Sequence, residues 1–338
     1  MKSSRLCAAR LALIIACNCC LSLSSPARAA DWELLPRTGR YGVYALESDG
    51  ERLYGGGKDG VYFTLNDGST WRDSDLKRSI SAMTAAPDAM YAVTWSQAVY
   101  RSETRGNTWH RIDDGLPTFS HKRGANDQHI KQMLVTRSGM LIAIGFHDDT
   151  YISRDGGDTW HQNYNMGTGA YTVAEFDGYI WAARSDSRAM RSADRGGTWE
   201  NIPDWRAGSI AGFGRIQDWA VFDNNLYVAG DYGFGRWREE ELKWDVLNRG
   251  LPKKPCIVDL AIHRGRIFAV VHSWAVAYFD QPSETWEAVG MRDHRVTSLA
   301  THRGELYAAT DLGIYRAIFP RVQPYNKAAA IWGAIKRQ

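Results

Sequence analysis

Tryptophan recurs at positions 71, 109, 160, 199, 244 and 286, at intervals of about forty residues, and no other feature limits the fold as much. Ahead of each the same order returns: an apolar strand, a short polar turn, a second strand of the Leu-Tyr-x-x-x type, a loop, and a third strand running into the Trp. With the strand that follows the Trp, one repeat is a four-stranded antiparallel meander. A single meander cannot bury both of its faces, so the repeats must stack on one another.

The units read clearly. Val43-Tyr-Ala-Leu, Leu53-Tyr-Gly-Gly and Gly60-Val-Tyr-Phe lead to Trp71, and Ile80-Ser-Ala-Met, Met90-Tyr-Ala-Val and Ala98-Val-Tyr-Arg lead to Trp109. Leu141-Ile-Ala-Ile, Ile180-Trp-Ala-Ala, Leu226-Tyr-Val-Ala and Ile267-Phe-Ala-Val mark the next four. After Trp286 the chain supplies three strands (Val296-Thr-Ser-Leu, Leu306-Tyr-Ala-Ala, Gly313-Ile-Tyr-Arg) and no fourth. The missing strand stands at the other end, where Asp31-Trp32-Glu-Leu-Leu-Pro reads like Thr198-Trp199-Glu-Asn-Ile-Pro. Six full units and one shared between the ends predict an all-β, seven-bladed β-propeller whose last blade is closed by the N-terminal strand. Closing the ring also removes the open sheet edges that invite aggregation.

The turns before Trp160 and Trp199 share a pattern, Ser153-x-Asp155-x-Gly157-x-Thr159-Trp160 and Ser192-x-Asp194-x-Gly196-x-Thr198-Trp199. Asp accepts backbone N–H groups of its own turn, Gly supplies positive φ, and Thr and Trp re-enter a strand, with the Trp packed under the turn to seal it. Copies ending in Trp71, Trp109 and Trp286 are eroded, with Asn66 or Thr104 for the Asp, and the one ending in Trp244 keeps only the Trp. Erosion marks a staple, not a catalytic group. The pattern resembles the Asp-box (BNR) repeat of sialidase-like, xyloglucanase-like, sortilin-like and photosystem-assembly-factor-like propellers, and the resemblance extends over nearly the whole chain after the leader. It implies a binding module (an assembly factor or an envelope binding or immunity-type protein) or, alternatively, a glycoside hydrolase.

Residues 1–29 read as an export signal: Lys2, Arg5 and Arg10 precede the apolar run Leu11–Ala16, and Ala27-Arg-Ala29 offers a cleavage site. Ile14-Ile-Ala-Cys17 also fits a lipoprotein signal, which would anchor the protein. Either way the destination is the periplasm or the exterior. Four of the five cysteines lie in the leader, leaving Cys256 without a disulfide partner; it reads as a buried, inert thiol. The formal charge of +3 becomes −1 once the leader's Lys2, Arg5, Arg10 and Arg28 are set aside, and −5 for the body without Arg321, Lys327, Lys336 and Arg337 of the tail. Such a balance argues against nucleic-acid binding. No later stretch is apolar enough to span a bilayer, and nothing calls for a cofactor. Residues 30–319 form the propeller, and the tail 320–338 carries Ala328, Ile331, Trp332 and Ile335 at helical spacing among basic residues. A monomer is expected.

In a propeller the Trp-closed turns lie on one face. The loops between second and third strands, and between blades, gather on the other, around the channel mouth, where function is expected. Arg40, Arg78, His129, Arg215 and Arg295 stand just before inner strands and predict a basic ring for an anionic, glycan or protein ligand. Trp95 and Trp274 on second-to-third loops add recognition surface. His147 and Asp148, with no further ligand at fixed spacing, do not make a metal site. Asp218 and Asp259, at matching places in inner strands, are the carboxylates a glycosidase would use, but no sialidase Arg-Ile-Pro signature and no nucleophile elbow accompany them. The prediction is an exported, non-enzymatic binding propeller.

Overall fold

The computed structural model describes residues 30–38, 42–96, 98–116, 130–145, 150–163, 165, 170–184, 189–202 and 213–320. The export signal and the tail helix expected from the sequence lie outside them. Seven four-stranded antiparallel sheets form a ring of blades: residues 43–73, 80–111, 130–162, 170–201, 216–246, 257–290, and 296–318 joined by 31–34. In the last of these Asp31–Leu34 pairs with Gly313–Ile318, from Asp31 opposite Ile318 to Leu34 opposite Tyr315. The ends of the repeat thus complete one blade.

Apolar alternation explains how the blades stack. Among the described residues seven buried clusters form, and each draws on two adjacent blades. Val43, Leu46 and Leu53 of blade 1 meet Tyr307, Ala309 and Ile314 of blade 7, for example, so the seam between the chain ends is packed like the rest. Where the Asp pattern is lost in blade 5, tryptophans fill the interface: Trp181, Trp219, Trp237 and Trp244 lie edge-on or tilted with centroids 5.2–6.4 Å apart. Outer strands of blades 1 to 4 have two residues each and carry polar or charged side chains, leaving little edge to template aggregation.

The turn of blade 3 has the expected staple. Ser153 Oγ donates to Asp155 Oδ1 (2.7 Å) and accepts from Gly157 N (2.8 Å), while Asp155 accepts from Thr159 N (2.9 Å) and Oγ1 (2.5 Å). Gly157 has φ +99, and an added Cβ would lie 2.4 Å from Ile112 Cδ1. The eroded turn of blade 1 keeps the same bonds, with Asn66 Oδ1 accepting from Thr70 N at 2.9 Å.

The tryptophans depart from expectation. Trp109 and Trp199 do bond their own turns, at Gly106 O and Gly196 O (3.2 Å each). Trp160 and Trp286 instead reach the preceding blade, donating to Ile112 O (2.7 Å) and Leu247 O (3.0 Å). They clasp neighbouring blades, not only their own turn.

Arginines lock the same face. Across successive junctions Arg52 donates to Arg105 O, Arg101 to Gly156 O (2.9 Å) and Arg154 to Arg195 O (3.4 Å). Arg191 pairs with Glu239 (2.8 Å), Arg236 with Glu284 (2.9 Å) and Arg264 with Glu305 (3.0 Å), and Arg303 donates to Glu51 O (2.8 Å). One arginine therefore crosses each of the seven junctions on the turn face.

Candidate binding face

Every inner strand carries a bulge at the same place. The ladder slips between Val43 and Ala45, Ile80 and Ala82, Ile130 and Gln132, Ala170 and Thr172, Ile216 and Asp218, Ile257 and Asp259, and Val296 and Ser298. A bulge re-aims side chains, and here it does so at the loop-face end of each strand. The skipped Tyr44 turns edge-on to Trp95 (6.0 Å, 81°), and the skipped Gln217 donates to Asp231 (2.8 Å).

The residue after the bulge ties one blade to the next. Gln132 Oε1 accepts from Val173 N (3.0 Å), Asp218 Oδ2 from Leu260 N (2.8 Å), Asp259 Oδ2 from Leu299 N (2.6 Å) and Ser298 Oγ from Leu46 N (3.4 Å). Asp218 Oδ1 also accepts from Trp219 N (2.8 Å). Asp218 and Asp259, the carboxylates that the sequence offers to a glycosidase, thus accept backbone N–H groups that the inner edge would otherwise leave unmet. Burial first, then the neighbouring Asp218 charge, pushes the Asp259 carboxyl well above the usual range. Glu47, also on an inner strand, is raised to about 7, chiefly by burial, with the Ser48 N–H pulling it down and Asp49 pushing it up.

The tips of the loop face are aromatic and apolar. Trp95 is 50% exposed, Tyr232 52% and Leu312 53%, each in a second-to-third loop of a different blade. Trp95 is held in place by its N–H to Ser79 O (2.9 Å), which sets it beside the exposed Arg78. The same backbone bond in blade 5 joins Asp231 N to Arg215 O (3.1 Å), and in blade 6 His272 N to Cys256 O (2.7 Å). Arg215 and Arg295 thus share one place, immediately before an inner strand, whereas Arg78 stands one residue earlier. Arg40 and His129 lie outside the described residues, as do His147 and Asp148.

Arg215 is not a free cation. Its Nε pairs with Asp231 Oδ2 (3.0 Å). Burial opposes ionisation of Asp231, but the Gln217 amide and Arg215 together hold its carboxyl below the ordinary range. Cys256 is only partly buried and stands just before its strand, with Sγ 3.9 Å from Asp231 Oδ1; burial and that carboxylate push its thiol up, away from a reactive thiolate.

Trp274 and Arg295 do come together. They line a cleft of about 370 Å³ between blades 6 and 7, with Arg292 placed 5.7 Å from the Trp274 ring centroid. Among the described residues Arg78, Arg292 and Arg295 make no ion pair, whereas the arginines that cross the junctions of the turn face each meet an acid or a carbonyl of the neighbouring blade. Arg292 and Leu312 escaped the sequence reading. The signal was present, since both sit in connections of a repeat whose boundaries were already legible. Among the described residues no cluster of His, Cys, Asp and Glu is built to hold a metal ion, and no helix is long and apolar enough to cross a membrane.

No family model matches the chain, and no curated protein matches it in sequence. Solved propellers do match in shape. YCF48 from Cyanidioschyzon merolae aligns with a TM-score of 0.61 at 14% identity over 86% of this chain and 99% of that one. A structure described as YCF48 bound to D1 peptide gives 0.65 at 13%, over 89% and 98%. The extracellular domain of the putative one-component system BT4673 from B. thetaiotaomicron gives 0.66 at 12%, covering 88% of this chain and 41% of that one. A streptogramin B lyase gives 0.67 at 10%, over 86% and 98%. At these identities the likeness defines the class, a β-propeller. That class includes a peptide binder and a lyase, so shape alone does not choose a function.

Proposed function

We propose that this chain is an exported, non-enzymatic β-propeller that captures a protein partner on its loop face. One observation carries the reading: each junction of the turn face is bridged by an arginine held on an acid or carbonyl, while among the described residues Arg78, Arg292 and Arg295 on the loop face make no ion pair and stand near the half-exposed Trp95 and the partly buried Trp274. Aromatic anchors with unpaired arginines are the composition of binding hot spots. The D1 peptide held by a similarly shaped propeller supports the protein class of partner. The leader pattern of residues 1–29 supports export, as does the extracellular setting of another similarly shaped propeller.

The test is capture from an envelope extract, identified by mass spectrometry. Trp95→Ala combined with Arg78→Ala, and Trp274→Ala combined with Arg295→Ala, are each expected to lose the partner without lowering the melting temperature. Capture that survives both double substitutions rejects the loop face. Arg215→Ala is a poor probe, because it strands the Asp231 carboxylate.

A further inference from the structure

The cleft between blades 6 and 7 has a floor of Val271, Ala275, Met291 and Val296, each no more than 7% exposed. Trp274 forms a wall, with the Arg292 guanidinium near its ring. Arg295 stands exposed at the mouth. The four apolar side chains of the floor suit a side chain of hydrocarbon, while His272, Ser273, Asp293 and His294 complete the lining. Asp293 lies between Arg292 and Arg295 in sequence and also lines the cleft, yet among the described residues neither guanidinium makes an ion pair, whereas each junction on the opposite face is bridged by an arginine on an acid or carbonyl.

We propose that this cleft is the specificity pocket for an extended protein segment in which an aromatic or branched apolar residue adjoins an Asp or Glu. The apolar side chain enters between Trp274 and Met291, and the adjacent carboxylate meets Arg295. This rests on the protein-binding reading above and names the chemistry of the partner. About 370 Å³ is near the lower bound of ligand pockets, enough for one side chain and not for a folded element. Burying the apolar residue supplies most of the affinity, because an ion pair at an open rim is weak. The carboxylate supplies selectivity, through choice of partner and salt-sensitive association.

The experiment is fluorescence anisotropy with labelled glycine-flanked peptides containing Phe-Glu, Phe-Gln or Ala-Glu. Wild-type protein is compared with the Trp274→Ala, Arg295→Ala and Trp95→Ala variants at low and high salt. Phe-Glu is expected to bind best. Trp274→Ala should weaken it roughly 10- to 100-fold and remove the preference for Phe over Ala. Arg295→Ala should weaken it about 3- to 5-fold and remove the preference for Glu over Gln. Wild-type protein that does not favour Phe-Glu over both other peptides, or binds none of them at millimolar peptide, overturns the assignment. So does Trp274→Ala binding as wild type does. If the pocket fails in this way while the Trp95 and Arg78 double substitution still abolishes envelope capture, the loop-face reading stands without the pocket. If capture also survives every substitution, both fall.

Discussion

The indole Nε1 of Trp32 donates to the carbonyl of Val289 at 3.3 Å, across 257 positions of sequence. It is the bond that Trp160 makes to Ile112 and Trp286 to Leu247, from one blade to the blade before it. The N-terminal strand therefore joins the last blade by the repeat's own clasp and not only by its four ladder partners.

Trp32→Phe keeps the ring and removes the donor, and should cost about 1 kcal/mol. Trp32→Ala also loses the packing against the blade 6–7 core and should cost about 3–5 kcal/mol. Thermal or urea unfolding gives the difference. Equal effects from the two substitutions would show that the hydrogen bond, and not the ring, holds the seam.

Asp194 is held at about 2, first by the Thr198 backbone N–H, then by the Thr198 and Ser192 hydroxyls. A lowered carboxylate pKa stabilises the fold above the unfolded value near 3.9, and that contribution is lost as pH falls toward 2. Asp194→Ala should lower the melting temperature at neutral pH and make little difference at pH 2. Asp194→Asn should be milder, because Asn66 already serves in the matching turn of blade 1. Melting curves of the three proteins between pH 2 and 7 test both statements.

Glu47 runs the other way. Its carboxyl is raised to about 7 by burial. The folded state therefore binds the proton more tightly than the unfolded chain, and stability is lost as pH rises from about 4.5 through 7. Glu47→Gln should flatten that slope and raise stability at pH 8 by about 2 kcal/mol. A pH series of urea unfolding curves for both proteins checks it, and an unchanged slope from pH 5 to 8 would place the titration elsewhere.

The architecture was legible because its signals are local and repeated. Apolar runs, Gly-containing turns and a Trp at each fourth strand survive erosion of any single copy, and Asp31–Leu34 declared its place by likeness to the strand after Trp199. The face holding the candidate site followed from blade topology. Which side chains are free on it did not, because that depends on partners far apart in sequence. Arg215 and Arg295 each have an acid sixteen residues on in the same blade, Asp231 and Asp311, yet among the described residues only Arg215 pairs with it. The bonds of Asp218 and Asp259 were hidden for the same reason, since N–H groups that they accept belong to the next blade, 42 and 40 positions away.

Gly-Leu-Pro occurs at 115–117 and again at 250–252. Gly250 has φ +92, and a Cβ there would lie 2.3 Å from Trp286 O; Gly115, at φ +86, would meet Trp160 O at the same distance. Just before each glycine a carbonyl accepts the Trp N–H, Arg249 O from Trp286 N (2.8 Å) and Asp114 O from Trp160 N (3.0 Å). The glycine thus lets one blade's exit strand lie directly against the backbone that enters the next outer strand. The contact is backbone on backbone, so no side-chain rotation can relieve it. Gly250→Ala should combine left-handed strain with the clash and cost more than about 2 kcal/mol. Gly265→Ala is the control for strain alone: φ there is +69, and nothing lies within 4 Å of the added Cβ. Its loss should be about 1 kcal/mol. Urea unfolding of the two variants separates the terms, and equal losses would mean that the approach of Gly250 to Trp286 carries no weight in holding blades 5 and 6 together.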